Sequence, residues 1–193
     1  MWPWLCGGLG VLVAIGLVAL AVQRNGQAAG AGQPAGAATG GGPPAAQVGG
    51  PAGAAVGEPS PTIAWPTLGG GVFRLPAGQP AVVYFMAAWC ESCQPEAQAL
   101  GQLQRQLGDR VAILVVDVDP VDLPSQTRAF FHTAGDPGYA IARDQNGRLA
   151  GAFAVRALDT TVVIDASGRV VYRDEVPTKL ATLTRALGKA GLA

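Results

Sequence analysis

Charge is scarce in this chain. Asp, Glu, Lys and Arg make up 13% of its 193 residues, the acidic and basic counts balance at 13 each, and no basic block occurs. Nucleic-acid binding draws on clustered Lys and Arg, so nothing points to that class of partner. Histidine is present once, at His132, and cysteine three times, at Cys6, Cys90 and Cys93. A Cys-x-x-Cys zinc centre needs a second such pair or two spaced histidines, and the chain lacks them. The first 57 residues hold a single charged side chain, Arg24. That asymmetry divides the chain into a biased amino-terminal segment and one globular domain.

The stretch that organises the domain is residues 81–107. It opens on a continuous apolar run, residues 81–88, with the length and the β-branched and aromatic content of a buried strand. Trp89-Cys90-Glu91-Ser92-Cys93 follows, and then Leu100, Leu103 and Leu107 recur at helical spacing. The two cysteines therefore fall where a strand turns into a helix, with Cys90 at or beside the helix N-cap. Free N–H groups and the positive end of the helix dipole favour thiolate over thiol there, and thiolate is the nucleophile of disulfide exchange. One turn separates Cys90 from Cys93, close enough to close a disulfide.

Phe85-Met-Ala-Ala-Trp-Cys-Glu-Ser-Cys93, followed by Glu96, resembles the active-site stretch of the thioredoxin superfamily. It is most similar to the membrane-anchored TlpA/ResA type of thiol-disulfide oxidoreductase, a redoxin domain. The resemblance takes in about the last 125 residues. It implies that Cys90 attacks, that Cys93 resolves, and that Glu96 sits beside the pair to relay protons or tune the thiols. Many thioredoxins carry a buried Asp on the strand before the motif; Tyr84 stands at that position here.

Residues 1–24 contain an uncharged apolar run behind Trp2 and Trp4, which suits a transmembrane anchor or a signal sequence. Cys6 lies inside the run. Residues 25–66 are rich in Ala, Gly, Pro and Gln and show no periodicity, so a disordered linker is expected there. Residues 67–193 then form the domain. Residues 72–75 suggest a hairpin or edge strand after Gly69-Gly70-Gly71, and Gly108 a helix C-cap. Residues 111–116, 139–142 and 160–164 read as strands, 123–133 and 149–155 as helices. Residues 170–172 complete a hairpin with 160–164, and Leu180, Leu183 and Leu187 mark a closing helix. Asp117 and Asp119 at a strand end are read as acidic residues without a metal. The predicted fold class is α/β, a thioredoxin-like central mixed sheet flanked by helices.

Two departures from the family pattern bear on the site. The loop before the third core strand usually places a cis-proline opposite the CxxC pair. This chain reads Leu158-Asp159-Thr160, with Asp159 at the proline position. A cis bond to a non-proline residue costs about 3 kcal/mol, so either the bond is trans or the loop is rebuilt. Asp159 is expected either to face the cysteines or to cap its own loop. Ser92 occupies a place between the cysteines where the family often has proline.

The expected function is extracytoplasmic thiol-disulfide exchange on protein thiols and disulfides, with apocytochrome c as the substrate class that the resemblance suggests. The membrane is a partner through the amino-terminal helix, and no cofactor is expected. Two alternatives stand beside it. One is a copper-binding assembly factor using Cys90, Cys93 and His132. The other is peroxide reduction, for which Ala87 sits where a Thr or Ser precedes the reactive cysteine.

Overall fold

A computed structural model describes residues 45–49 and 53–192. The strand predicted from the apolar run is β4 (Ala81–Met86), the fourth strand among the described residues and the centre of a five-stranded sheet. All six of its residues are buried, as a strand covered on both faces must be. Around it lie β5 (Ala112–Asp117), β6 (Ala140–Arg143), β7 (Thr160–Ile164) and β8 (Val170–Glu175), in the order β6-β5-β4-β7-β8. The β4–β5 and β5–β6 pairs are parallel, and β4–β7 and β7–β8 are antiparallel. Parallel pairs require crossovers. The helices α1 (Gln94–Leu107) and α2 (Pro124–Thr133) supply them, with the short α3 (Arg148–Ala152) and the closing α4 (Leu180–Lys189) completing the set.

Alternation along the strands assigns the two faces. Val82, Tyr84, Met86, Ile113, Val115 and Val163 pack with Leu100 and Leu103 of α1, Phe130 and Phe131 of α2, and Leu183 and Leu187 of α4. Val83, Phe85, Leu114, Val116, Val162 and Ile164 pack on the opposite side. That side is covered chiefly by a second sheet, with only α3 as a helix.

The second sheet corrects the expected domain boundary. Its strands are β1 (Gln47–Gly49), β2 (Thr62–Pro66) and β3 (Val72–Leu75), antiparallel in the order β1-β2-β3. Two of them lie within the stretch expected to be a linker, so residues 45–49 and 53–66 are folded and the domain does not begin at residue 67. The reason is local. Ile63 and Trp65 alternate into the core, and the Trp65 indole donates to the Arg143 carbonyl at 3.0 Å. The preceding segment is tied down by its backbone: Gly53 N–H donates to Ala152, Gly57 to Val170 and Ser60 to Gly168. The anchor expected over residues 1–24, and the linker as far as residue 44, lie outside the described residues. No helix among the described residues is long and apolar enough to cross a membrane.

Gly108 ends α1 as predicted, at φ 54°, a positive value that glycine adopts without a Cβ penalty.

Candidate active site

The β4 strand delivers Cys90 and Cys93 to the amino-terminal edge of α1. Cys90 is the N-cap of a 3-10 turn, Glu91–Cys93, that runs directly into α1, where Pro95 occupies the first turn. Proline suits that position because its missing N–H would have no helical partner. The Cys90 N–H donates to the Ala87 carbonyl at 3.0 Å, and the Cys93 N–H to the Cys90 carbonyl at 3.2 Å. The two sulfurs are joined at 1.99 Å, with Cα atoms 5.4 Å apart. Cys90 retains 5% exposure and Cys93 none. Of the two residues, Cys90 alone retains any exposure.

Beside the pair, Trp89 is 64% exposed and its indole N–H donates to Asp119 Oδ2 at 2.6 Å. That bond holds the Asp119 carboxyl below the usual carboxylate range. The Ala88 N–H donates to Asp122 Oδ2 at 2.8 Å, fixing the backbone just ahead of the motif. Asp117 is buried and accepts from the Thr127 hydroxyl at 2.5 Å. Burial pushes its pKa up to about 6, against the pull of the Thr127 hydroxyl and with the Asp122 charge adding to the rise. Asp119 and Asp122, in the loop after β5, thus brace the motif loop through hydrogen bonds.

Asp159 faces the cysteines, which resolves the two expectations for it. Its φ is 59°, a left-handed value that Asp tolerates better than most residues. A proline ring, held near −65°, cannot occupy this backbone, and the one cis bond among the described residues is Leu75–Pro76. The loop is therefore rebuilt around an aspartate. Its carboxylate accepts from the Tyr84 hydroxyl at 2.6 Å and from the Ser92 hydroxyl at 3.2 Å. Ser92 Oγ in turn lies 3.4 Å from Cys90 Sγ. Tyr84 OH also reaches the Cys93 carbonyl at 3.3 Å. Burial first, then the carboxylates of Glu96 and Asp159, push the Tyr84 pKa well above its ordinary value, so it stays a neutral donor. The flanking residues do less: Leu158 is half-buried against the core, and the Thr160 hydroxyl turns back to the Ala157 carbonyl at 2.7 Å.

Glu96 is buried one turn beyond Cys93, but its hydrogen-bond partners are not the cysteines. One oxygen accepts from the Thr161 hydroxyl, the other from the Thr178 N–H at 2.7 Å. Burial dominates its titration and pushes its pKa up to about 8, despite both hydrogen bonds. It therefore holds its proton to higher pH than an ordinary glutamate. No local pattern in the sequence pairs Thr161 and Thr178 with Glu96.

The copper ligand set is corrected. His132 is exposed, with Nδ1 2.9 Å from Asp136 Oδ2, and it is not among the groups that gather at the cysteines. The donor atoms that do converge, within 4.8 Å of one another, belong to Cys90, Cys93 and Asp159. With the disulfide closed, neither sulfur is free as a thiolate.

A mixed α/β sheet with a CxxC disulfide at a strand–helix junction defines the class of thioredoxin-like dithiol proteins. This chain belongs to the AhpC/TSA family, whose model matches residues 56–173. It is 37% identical over 101 residues to a thiol:disulfide interchange protein DsbE homolog of Paracoccus denitrificans, covering 51% of this chain and 53% of that one. To the thiol-disulfide oxidoreductase ResA of Bacillus cereus it is 25% identical, covering 50% and 54%. The aligned region thus spans about half the length of these two relatives. The fold is also that of a thiol:disulfide interchange protein of the thioredoxin family from Chlorobium tepidum, with a TM-score of 0.61, 24% identity, and coverage of 70% of this chain and 97% of that one.

Proposed function

We propose that the chain is a thiol-disulfide oxidoreductase acting on the disulfides of other proteins, with Cys90 as the attacking thiol and Cys93 as the resolving one. The reading is carried by one observation, the disulfide at the N-terminus of the 3-10 turn and α1 with Cys90 at the surface edge and Cys93 sealed. In the reduced protein, a Cys90 thiolate attacks a substrate disulfide and forms a mixed disulfide. Cys93 then attacks the Cys90 sulfur, releasing reduced substrate and closing the Cys90–Cys93 bond. The similarity to the Paracoccus interchange protein and the Bacillus oxidoreductase supports this chemistry. Exposed Trp89, Val121 and Leu123 beside the motif and on the β5–α2 loop support a protein chain as substrate, since they offer apolar contact area rather than an enclosed pocket.

Glu96 completes the proposal as a buried proton store close to the pair. Residues 1–24 anchor the domain to a membrane with the site on the extracytoplasmic face, and an apocytochrome c is the substrate class suggested by the ResA-like resemblance. The peroxidase reading has no side chain in its favour, because Ala87 offers a methyl group where a hydroxyl is required.

The test is trapping. Cys93→Ala should accumulate a mixed disulfide with a cysteine-containing peptide through Cys90, and Cys90→Ala should accumulate none. Adducts that form only in Cys90→Ala, on Cys93, would reverse the assignment.

A further inference from the structure

Three polar groups lead away from the reactive sulfur: Ser92 Oγ lies 3.4 Å from Cys90 Sγ, Ser92 Oγ donates to Asp159 Oδ2 at 3.2 Å, and Tyr84 OH donates to Asp159 Oδ1 at 2.6 Å. Their directions are set by chemistry. Asp159 accepts the Ser92 hydroxyl proton, so the Ser92 oxygen is left with lone pairs towards Cys90. In the disulfide, Cys90 has no proton to give, and that lone pair is idle. Reduction supplies the missing donor, a Cys90 S–H. The chain S–H to O–H to carboxylate is therefore complete only in the reduced protein.

We propose that Ser92 and Asp159 form a proton relay that takes the Cys90 proton as the sulfur attacks, with Asp159 as the terminal base. This rests on the exchange reading above. The step balances: Cys90 passes its proton to Ser92 Oγ as Ser92 passes its own to Asp159 Oδ2. The sulfur electron pair forms a bond to one sulfur of the substrate disulfide, whose S–S bond breaks, and the other sulfur leaves as a thiolate. The products are a mixed disulfide, a thiolate and a protonated Asp159. General-base assistance of this kind is worth rate rather than equilibrium.

Tyr84 orients the base. Its hydroxyl holds one carboxylate oxygen, leaving the other aimed at Ser92. Asp159 acts on titratable groups of neighbouring elements, Tyr84 on β4 and Glu96 on α1, and Asp174 on β8 acts on Glu96 in turn. No cation lies within ion-pair distance of Asp159 among the described residues. Nothing there neutralises the carboxylate, and a negative charge near Cys90 disfavours the thiolate at equilibrium. The relay and simple charge repulsion therefore make opposite predictions for rate.

The test uses the full chain, reduced, with Ser92→Ala, Ser92→Thr and Asp159→Asn. Thiolate formation is read by ultraviolet absorbance and Cys90 reactivity by iodoacetamide alkylation across pH. Exchange with a peptide disulfide is measured separately. Below the Cys90 pKa, Ser92→Ala should slow alkylation by about a hundredfold or more, with its thiol pKa unmoved because the Ser92 proton is held by Asp159 and is not donated to the sulfur. Above that pKa, where the thiolate is preformed, the two rates should converge. Ser92→Thr should restore the wild-type profile. Asp159→Asn should lower the thiol pKa and still slow alkylation below it. A Ser92→Ala profile that matches wild type, or a deficit that persists above the thiol pKa, overturns the relay. An Asp159→Asn protein that becomes faster shows charge repulsion alone and overturns it too. If alkylation follows the relay pattern but no variant or wild type exchanges with the peptide, the failure belongs to the exchange reading instead.

Discussion

The two faces of the five-stranded sheet are made from alternate residues of the same strands, yet they differ in kind. On the face towards α1, the strands place Tyr84, Asp117 and Thr161 among the apolar side chains, and these meet Asp159, Thr127 and Glu96. On the other, the corresponding strand positions are Val83, Phe85, Leu114, Val116, Val162 and Ile164, with polar Thr160 at the start of β7, and Ile63, Trp65 and Leu75 of the second sheet seal them. A buried carboxyl without a cationic partner carries a desolvation cost, and such groups concentrate where chemistry is carried out. One face is packed for stability, and the other carries the buried carboxyls of Asp117 and Glu96. The difference teaches that strand alternation can separate stability from reactivity within a single layer.

The largest effect tests the dry face. Phe85 and Phe153 are fully buried with ring centroids 5.3 Å apart. Phe85→Ala should cost about 3–5 kcal/mol of unfolding free energy, measured by urea denaturation of the oxidised protein. Alkylation of Cys90 in the folded fraction should be unchanged. A change in its pH profile would break the separation between the faces.

A smaller effect tests the carboxyl-bearing face. The Glu96 pKa is raised from 4.5 to about 8. Below 4.5 the carboxyl is protonated in both states and carries no penalty. As pH rises towards about 8 the unfolded chain gives up the proton that the folded chain keeps, so stability falls over that window and is level above it. Glu96→Gln should flatten this slope and gain about 1–3 kcal/mol over wild type at pH 9. Thermal unfolding across pH reads it; an unaltered slope would mean that Glu96 is not the group responsible.

The smallest effect concerns the brace behind Trp89. Asp122→Asn should bring the Asp117 pKa down from about 6 towards 3.8. Stability lost as pH rises between those values should shrink by less than about 1 kcal/mol. Carboxyl chemical shifts followed through a titration would show the change, and an immobile Asp117 would place the whole shift on burial.

Much of this was legible in the residues. The apolar run at residues 81–88, the CxxC pair and the Leu100–Leu103–Leu107 spacing gave the central strand and its helix, because local periodicity decides them. Strand β7 and helix α4 were legible for the same reason. Strands β1 and β2 were missed because the composition of residues 25–66, averaged over its length, hides the short alternation of Ile63 and Trp65. The site was legible in part. The cysteines, Glu96 and the aspartate at the proline position could be singled out from the motif. The partners of Glu96, Thr161 and Thr178, lie 65 and 82 residues away in sequence, and only the closed sheet brings them together. The Tyr84–Asp159–Ser92 connection likewise follows from β4 and the β7 loop meeting, which no local pattern encodes.

The most direct measurement is substoichiometric alkylation of the fully reduced chain near neutral pH, followed by peptide mapping. Cys90 at the surface edge of the helix N-terminus and a sealed Cys93 predict label on Cys90 almost exclusively. Label on Cys93, or equal label on both, would contradict the assignment of Cys90 as the attacking thiol.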